Sequence, residues 1–345
     1  MFCGSALSQS GVEVRMNLPV SANRLNHYRG NLWRDACRIV LSIALAAGAA
    51  VPSSAASDRL GRFEQLRAQD LRVATVAYRL SIANAGRCHE NLTPQLGFVL
   101  HSIEQYGPAD REDAARSFGL GTHVGVMAVV GGSPAQAAGL AAGDELVSVN
   151  GRDLDITGAG AAPTRASVDR AQRLVVEEMR RGEVTLRVAG AGGDRELRFG
   201  AAVGCPSNVE LVPGEAVNAW ADGSRVIVSE GLLRLCDTDA DLALVIGHEM
   251  AHNLLGHRHL SSGATSGLLS ATAAGSAETR EGEEAADGLG VRLAVTAAYD
   301  LAGAETFLSG LLDRTPRAAP THPDRLRRLT LLRSAIVAAR QGLRG

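Results

Sequence analysis

The spacing of apolar positions changes along the chain, and each change marks an expected element. Over residues 58–85, Leu60, Phe63, Leu66, Val73, Val76 and Leu80 recur at helical spacing and predict one long helix. The short apolar run 96–100 fits a strand or a helix equally well. From about residue 118 to 201 the helical period gives way to short apolar runs between glycine turns. Residues 124–130, 143–151, 184–188 and 196–199 read as strands with their turns, and 165–180 as a helix. Asn150-Gly151 is a hairpin signal, because both residues tolerate the positive φ that a tight turn demands. Residues 155–165 read as a surface loop, and 218–229 as a second hairpin around Asp222-Gly223. Helical spacing then returns with Leu242, Val245, Ile246, Met250 and Leu254. Asp237 or Thr238 is the expected N-cap, with Asp241 three residues after Thr238. Further helices are expected from about 280 to 298, 302–312 and 325–341, and a polar loop over 261–277. Gly282, Gly288 and Gly290 weaken the first of these helices, which points to close packing there.

The helix after Thr238 contains His248-Glu249-Met250-Ala251-His252. Residues four apart share a helix face, so His248 and His252 can hold one metal ion, with zinc the natural choice. Glu249 lies beside them as a candidate general base. A catalytic zinc takes three protein ligands, and Glu283-Glu284-Ala285-Ala286-Asp287 offers the third. Glu283 is the candidate ligand, and Asp287, one turn later, is the candidate partner of a ligand histidine. A third histidine at the metzincin spacing is excluded, since Leu255 and Arg258 stand where that pattern needs Gly and His. His257 and His259 are expected at the helix end, against free carbonyls, with contact to a ligand histidine as the alternative for His257.

Together with Asn218–Ala221, Val226–Leu233, Ala298-Tyr299-Asp300 and Thr321-His322-Pro323, these motifs resemble the gluzincin family of HtpX and the CAAX prenyl proteases, including its periplasmic BepA-like and mitochondrial Oma-like members. The resemblance runs from about Cys205 to the C-terminus. It implies one Zn2+ per chain on His248, His252 and Glu283, with Glu249 catalytic. It also implies a histidine, His322, approaching the metal and an arginine, Arg328, near the site as catalytic groups; Arg325 and Arg327 compete for the second role. The series Gly132-Ser133-Pro134-Ala135, Gly139-Leu140, Gly143-Asp144 and Val149-Asn150-Gly151 resembles a bacterial PDZ domain. That resemblance implies a groove that takes an extended peptide by strand addition, with Gly119-Leu120-Gly121 as the loop whose amides meet its carboxylate. A spacer with a closed groove is the alternative.

Composition adds limits. A net charge of -2 argues against a nucleic-acid surface, and 46% hydrophobic with 3% aromatic residues means cores built from Ala, Val and Leu. Arg24, Arg29, Arg34 and Arg38 precede an apolar run over 39–51 and small residues at 54–56, so residues 1–57 read as a signal peptide, with Met16 as a possible start. A periplasmic or otherwise exported protein follows, or one anchored by an uncleaved segment. Membrane association stays open, but nothing in the mature chain is long and apolar enough to span a bilayer. Export permits a disulfide, and Cys88 and Cys205 flank the middle module, which leaves Cys236 free.

The expected protein is α+β. A helical segment (58–117) and a PDZ-like β/α module (118–203) precede a mostly helical gluzincin-type zinc peptidase domain with a small sheet (204–345). It is expected to be a zinc endopeptidase for unfolded or misassembled envelope proteins. The alternative is a chaperone-like or assembly protein whose proteolysis is latent, His322 displacing the water.

Overall fold

A computed structural model describes residues 54–88, 91–155, 158, 160, 162–257, 276–314 and 324–342. The expected leader up to residue 53, most of the loop expected over 261–277, and His322 lie outside these residues. Helix α1 (Ser54–Ala83) is the long helix that its apolar spacing predicts, and it serves two cores. Its Phe63 packs with Ala114, Phe118, Leu120 and Met127. Two turns and more further on, Val73, Val76 and Leu80 enter the C-terminal core with Ile246, Met250 and Leu293.

After α1 come β1 (Thr93–Gln95), β2 (Phe98–His101), α2 (Arg111–Phe118), β3 (Val124–Val129), α3 (Pro134–Ala137), β4 (Glu145–Val149), β5 (Arg152–Asp153), α4 (Ala166–Arg181), β6 (Val184–Ala189) and β7 (Arg195–Phe199). Strands β2-β3-β4-β6-β7 form an antiparallel sheet in that order, with β5 paired to β4. Val168, Ala171, Val175 and Met179 of α4 cover it. The turn at Asn150 and Gly151 has φ of 48° and 76°, as the Asn-Gly signal requires. Strand β2 pairs Phe98 with Val129 and His101 with Gly125, so the sheet reaches into residues expected in the 58–117 helical segment, and the boundary expected at 118 falls within it. Four apolar residues are too few to show a period; the partner strand decides their conformation.

The chain leaves this module through β8 (Ala202–Gly204), which pairs with β1. A disulfide joins Cys88 to Cys205 beside that pair, while Cys236 is buried outside any disulfide. A second sheet follows, built from β9 (Asn208–Val212), β10 (Ala219–Ala221) and β11 (Arg225–Ser229) in the order β10-β11-β9. Then come α5 (Glu230–Leu233), α6 (Asp239–Leu254), α7 (Ser276–Thr296), α8 (Ala304–Arg314) and α9 (Arg325–Gly342). Thr238 is the N-cap of α6, in a capping box: its hydroxyl accepts from Asp241 N at 3.1 Å, and Asp241 Oδ2 accepts from Thr238 N at 2.9 Å. No described helix is long and apolar enough to cross a membrane.

Helices α6 and α7 touch backbone to backbone. A Cβ on Gly290 would lie 2.7 Å from His248 N and 2.9 Å from Gly247 C, and one on Gly247 would lie 2.9 Å from Gly290 O. Neither backbone can yield locally, so these glycines allow an approach that no other residue permits. Gly288 differs: a Cβ there meets only the end of the Arg292 side chain, at 3.5 Å. Two alanine substitutions two residues apart should therefore have opposite effects. Gly290→Ala is expected to cost about 1–3 kcal/mol of unfolding free energy through overpacking. Gly288→Ala should be neutral or stabilising by about 0.5–1 kcal/mol through helix propensity. Urea denaturation of both variants measures the contrast.

Candidate metal centre

The α6–α7 contact brings three ligand-type side chains together. His248 and His252 lie one turn apart on α6, with their Nε2 atoms 3.1 Å from each other. Glu283 of α7 places Oε2 at 3.4 Å from His248 Nε2 and Oε1 at 3.5 Å from His252 Nε2. All three are buried, and they are the group among the described residues suited to hold a metal ion. A tetrahedral zinc with bonds of about 2.0–2.1 Å needs about 3.3–3.5 Å between ligand atoms, which these distances approach. Two Nε2 atoms 3.1 Å apart cannot both carry hydrogens pointed at each other, so at least one ring carries its hydrogen on Nδ1, the tautomer of a metal ligand.

Glu249, Glu283 and Arg328 are 3%, 2% and 4% exposed, and Asp287 lies beside them, paired with Arg328. Burial pushes Glu249 up to about 7; His248 opposes this and Glu283 adds to it. Burial disfavours a charged His248, yet Asp287 and Glu283 outweigh it and hold that imidazole up at about 10. Two imidazoles and a carboxylate are the donor types that zinc takes, so the residues fit it.

Asp287 Oδ1 stands 2.9 Å from His248 Nδ1, the contact expected of it. Arg328 then grips Asp287 with both arms of its fork, Nε to Oδ2 at 2.9 Å and Nη2 to Oδ1 at 2.6 Å. Burial opposes a charged Asp287, but Arg328 and His248 hold its carboxyl well below the usual range. Of the three competing arginines, Arg327 pairs with Glu284 and Arg325 with Asp313, both at the surface, and Arg328 alone reaches the centre. Its fork is turned to Asp287, so in this structure the guanidinium steadies a ligand's partner. His322 falls outside the described residues.

Glu249 lies within reach of the charges of His248 and Glu283, and its carboxylate accepts from the backbone of Ala221 in β10. Among the described residues, strand β10 is at the sheet edge and pairs with β11. Asn253 ties the turn between these strands to α6: its Oδ1 accepts from Gly223 N at 2.7 Å and its Nδ2 donates to Arg225 O at 3.0 Å.

The carboxylate loop expected at Gly119-Leu120-Gly121 is occupied from within. Gly119, at φ 71°, is the C-cap of α2, and its N–H and that of Leu120 donate to Ala115 O. Gly121 N donates to Glu145 Oε1 at 2.7 Å, and the Leu120 side chain is buried. Helix termination, not ligand binding, is what the left-handed glycine serves here. Strand β2, preceded by Gly97 at φ 69°, is one edge of the sheet, and β7 is the other. A cavity of about 970 Å³ runs along β2, α1, the start of α4 and β9. The signal for this strand was the triplet Leu96-Gly97-Phe98, an apolar–glycine–apolar step into a short apolar run. Across the cavity Arg165 Nη1 meets Glu210 Oε1 at 2.8 Å, and Gln172 Nε2 donates to Asn208 Oδ1 at 2.9 Å.

Residues 197–278 match the family model for Peptidase family M48, and residues 125–189 that for the PDZ domain. Glu283 and Asp287 lie beyond the first match, so their place at the centre rests on geometry. Among solved structures the chain is similar to the HtrA3 PDZ domain bound to a phage-derived ligand (FGRWV), at 22% identity over 33% of this chain and 89% of that one, with a TM-score of 0.25. It is also similar to the HtrA-type protease AlgW with decapeptide, at 23% identity and a TM-score of 0.23, over 33% of this chain and 29% of the AlgW chain. No curated protein matches. M48 peptidases are zinc metallopeptidases. Residues 197–278 are thus similar to M48 metallopeptidases, and a PDZ-type domain precedes them in the chain.

Proposed function

We propose that this protein is an exported zinc endopeptidase that hydrolyses extended segments of envelope proteins. The convergence of His248, His252 and Glu283, with Glu249 on the next face between them and the edge strand β10, carries this reading. His248, His252 and Glu283 would hold the ion, and Glu249 is the catalytic base. Bound zinc supplies Lewis-acid polarisation of the scissile carbonyl and an acidified water. Glu249 takes the water's proton on its carboxylate and delivers it to the leaving amine. Strand β10 pairs with the substrate backbone, which makes binding tolerant of sequence and favours unfolded chains. The Ala221 backbone contact sets the distance between that strand and the base. Asp287, pinned by Arg328, fixes the tautomer and direction of His248.

The PDZ module serves substrate delivery or regulation, with a peptide added to the outer edge of β2. Support for a link to the centre comes from a run of polar contacts: Arg165 to Glu210, Glu210 Oε2 to Arg225 Nη1 at 3.2 Å, and the Arg225 carbonyl to Asn253, next to His252. The Cys88–Cys205 disulfide supports export, since such bonds persist in oxidising compartments.

Cleavage of casein by the purified, zinc-loaded protein tests the reading. Glu249→Gln is expected to keep stoichiometric zinc by metal analysis and to lose about 10²–10⁴-fold in rate. His252→Ala should lose the metal. A zinc-loaded wild type that cleaves nothing would instead favour a binding or chaperone-like role, and His322→Ala would then be the variant to assay. Arg328→Met leaves the buried Asp287 short of its partner and should cost about 3–5 kcal/mol in urea denaturation. Arg327→Ala, at the exposed Glu284 pair, should leave the midpoint almost unchanged.

A further inference from the structure

We infer that His257 is a positioning residue for the metal centre: it accepts the Nδ1 hydrogen of His252 and holds that imidazole with Nε2 turned towards Glu283. This rests on the metal centre proposed above and adds a residue to it. The end of α6 makes the contact possible. Leu255 is the C-cap, Gly256 follows at φ 68°, and His257 N donates back to His252 O at 2.9 Å. This is the left-handed glycine termination that reverses a chain at a helix end. The reversal carries the His257 ring back beside the residue whose carbonyl its amide caps. The two Nδ1 atoms lie 3.1 Å apart and the ring centroids 5.2 Å apart.

Helix α7 lies against this ring: a Cβ on Gly282 would sit 3.4 Å from His257 Cε1, in ordinary van der Waals contact.

The chemistry requires such a partner. An imidazole that binds a cation through Nε2 keeps its hydrogen on Nδ1, and a buried donor without an acceptor is costly. His252 is 2% exposed. For His248 the acceptor is the Asp287 carboxylate, at 2.9 Å. For His252 the His257 ring takes that place, with Nδ1 at 3.1 Å. The two ligand histidines therefore have unlike supports, one a carboxylate clamped by Arg328 and the other a ring held by a helix turn.

The test is zinc affinity of the full chain, measured by competition with a chromophoric chelator, beside the thermal midpoint of the metal-free protein. His257→Phe keeps a ring of similar size and removes the acceptor; it should weaken zinc binding about 10–100-fold. His257→Asn places a carbonyl oxygen near the lost Nδ1 and should recover most of that loss. Zinc binding by His257→Phe within roughly twofold of wild type would overturn the inference, as would failure of His257→Asn to recover it. If the phenylalanine variant does not fold, His257→Ala is read in the same way. A wild type that holds no zinc overturns the metal centre itself and this inference with it, whereas zinc held by wild type and lost in His252→Ala leaves the centre standing whatever His257 does.

Discussion

The centre depends on one steric constraint, the backbone contact of α6 and α7 at Gly247 and Gly290. Ordinary helix pairs stand about 8–10 Å apart, held off by their side chains. Here no side chain intervenes, and carboxylates of α7 reach the imidazoles of α6 directly. Glu283, Asp287 and Gly290 are spaced four and three residues apart, so ligand, buttress and contact point share one face of α7. On α6 the contact residue Gly247 immediately precedes His248. Packing and chemistry are thus the same surface. A side chain at Gly290 would move the ligand set as a unit.

Charge is distributed by depth. The exposed acids of α7 and arginines of α9 pair at the surface, as in Glu284 with Arg327. Only Arg328 turns inward, and it is spent on Asp287. Glu283 and Glu249 are buried beside the histidines and the edge strand. Burial makes each of these charges costly alone, so the donor set is arranged for a cation.

The two modules are bound by more than a linker. Helix α1 places Phe63 in one core and Val73, Val76 and Leu80 in the other. The β1–β8 pair and the Cys88–Cys205 disulfide close the same junction. Between them runs the cavity beside β2, bridged by Arg165 to Glu210. From that bridge the contacts continue through Arg225 to Asn253 on α6.

Local chemistry was legible in the residues themselves. The histidine spacing on α6, the Thr238 cap and the Asn150-Gly151 turn depend on short-range geometry, and the chain carries them in neighbouring residues. The pairing of Cys88 with Cys205 followed from their positions flanking a module. Long-range choices were not legible. Gly119 was open to two uses of a left-handed glycine, and only the helix ending there decided for a cap. Residues 98–101 became a strand because β3 was there to pair with them. Arg325, Arg327 and Arg328 are equivalent as sequence, and the packing of α9 on α7 alone chose Arg328. His257 needed the reversal at Gly256 before it could meet His252. The sequence determined which side chains could bind a metal and which helix would carry them. The tertiary structure decided what supports those side chains, because support comes from residues tens of positions away whose meeting depends on how closely two helices can approach.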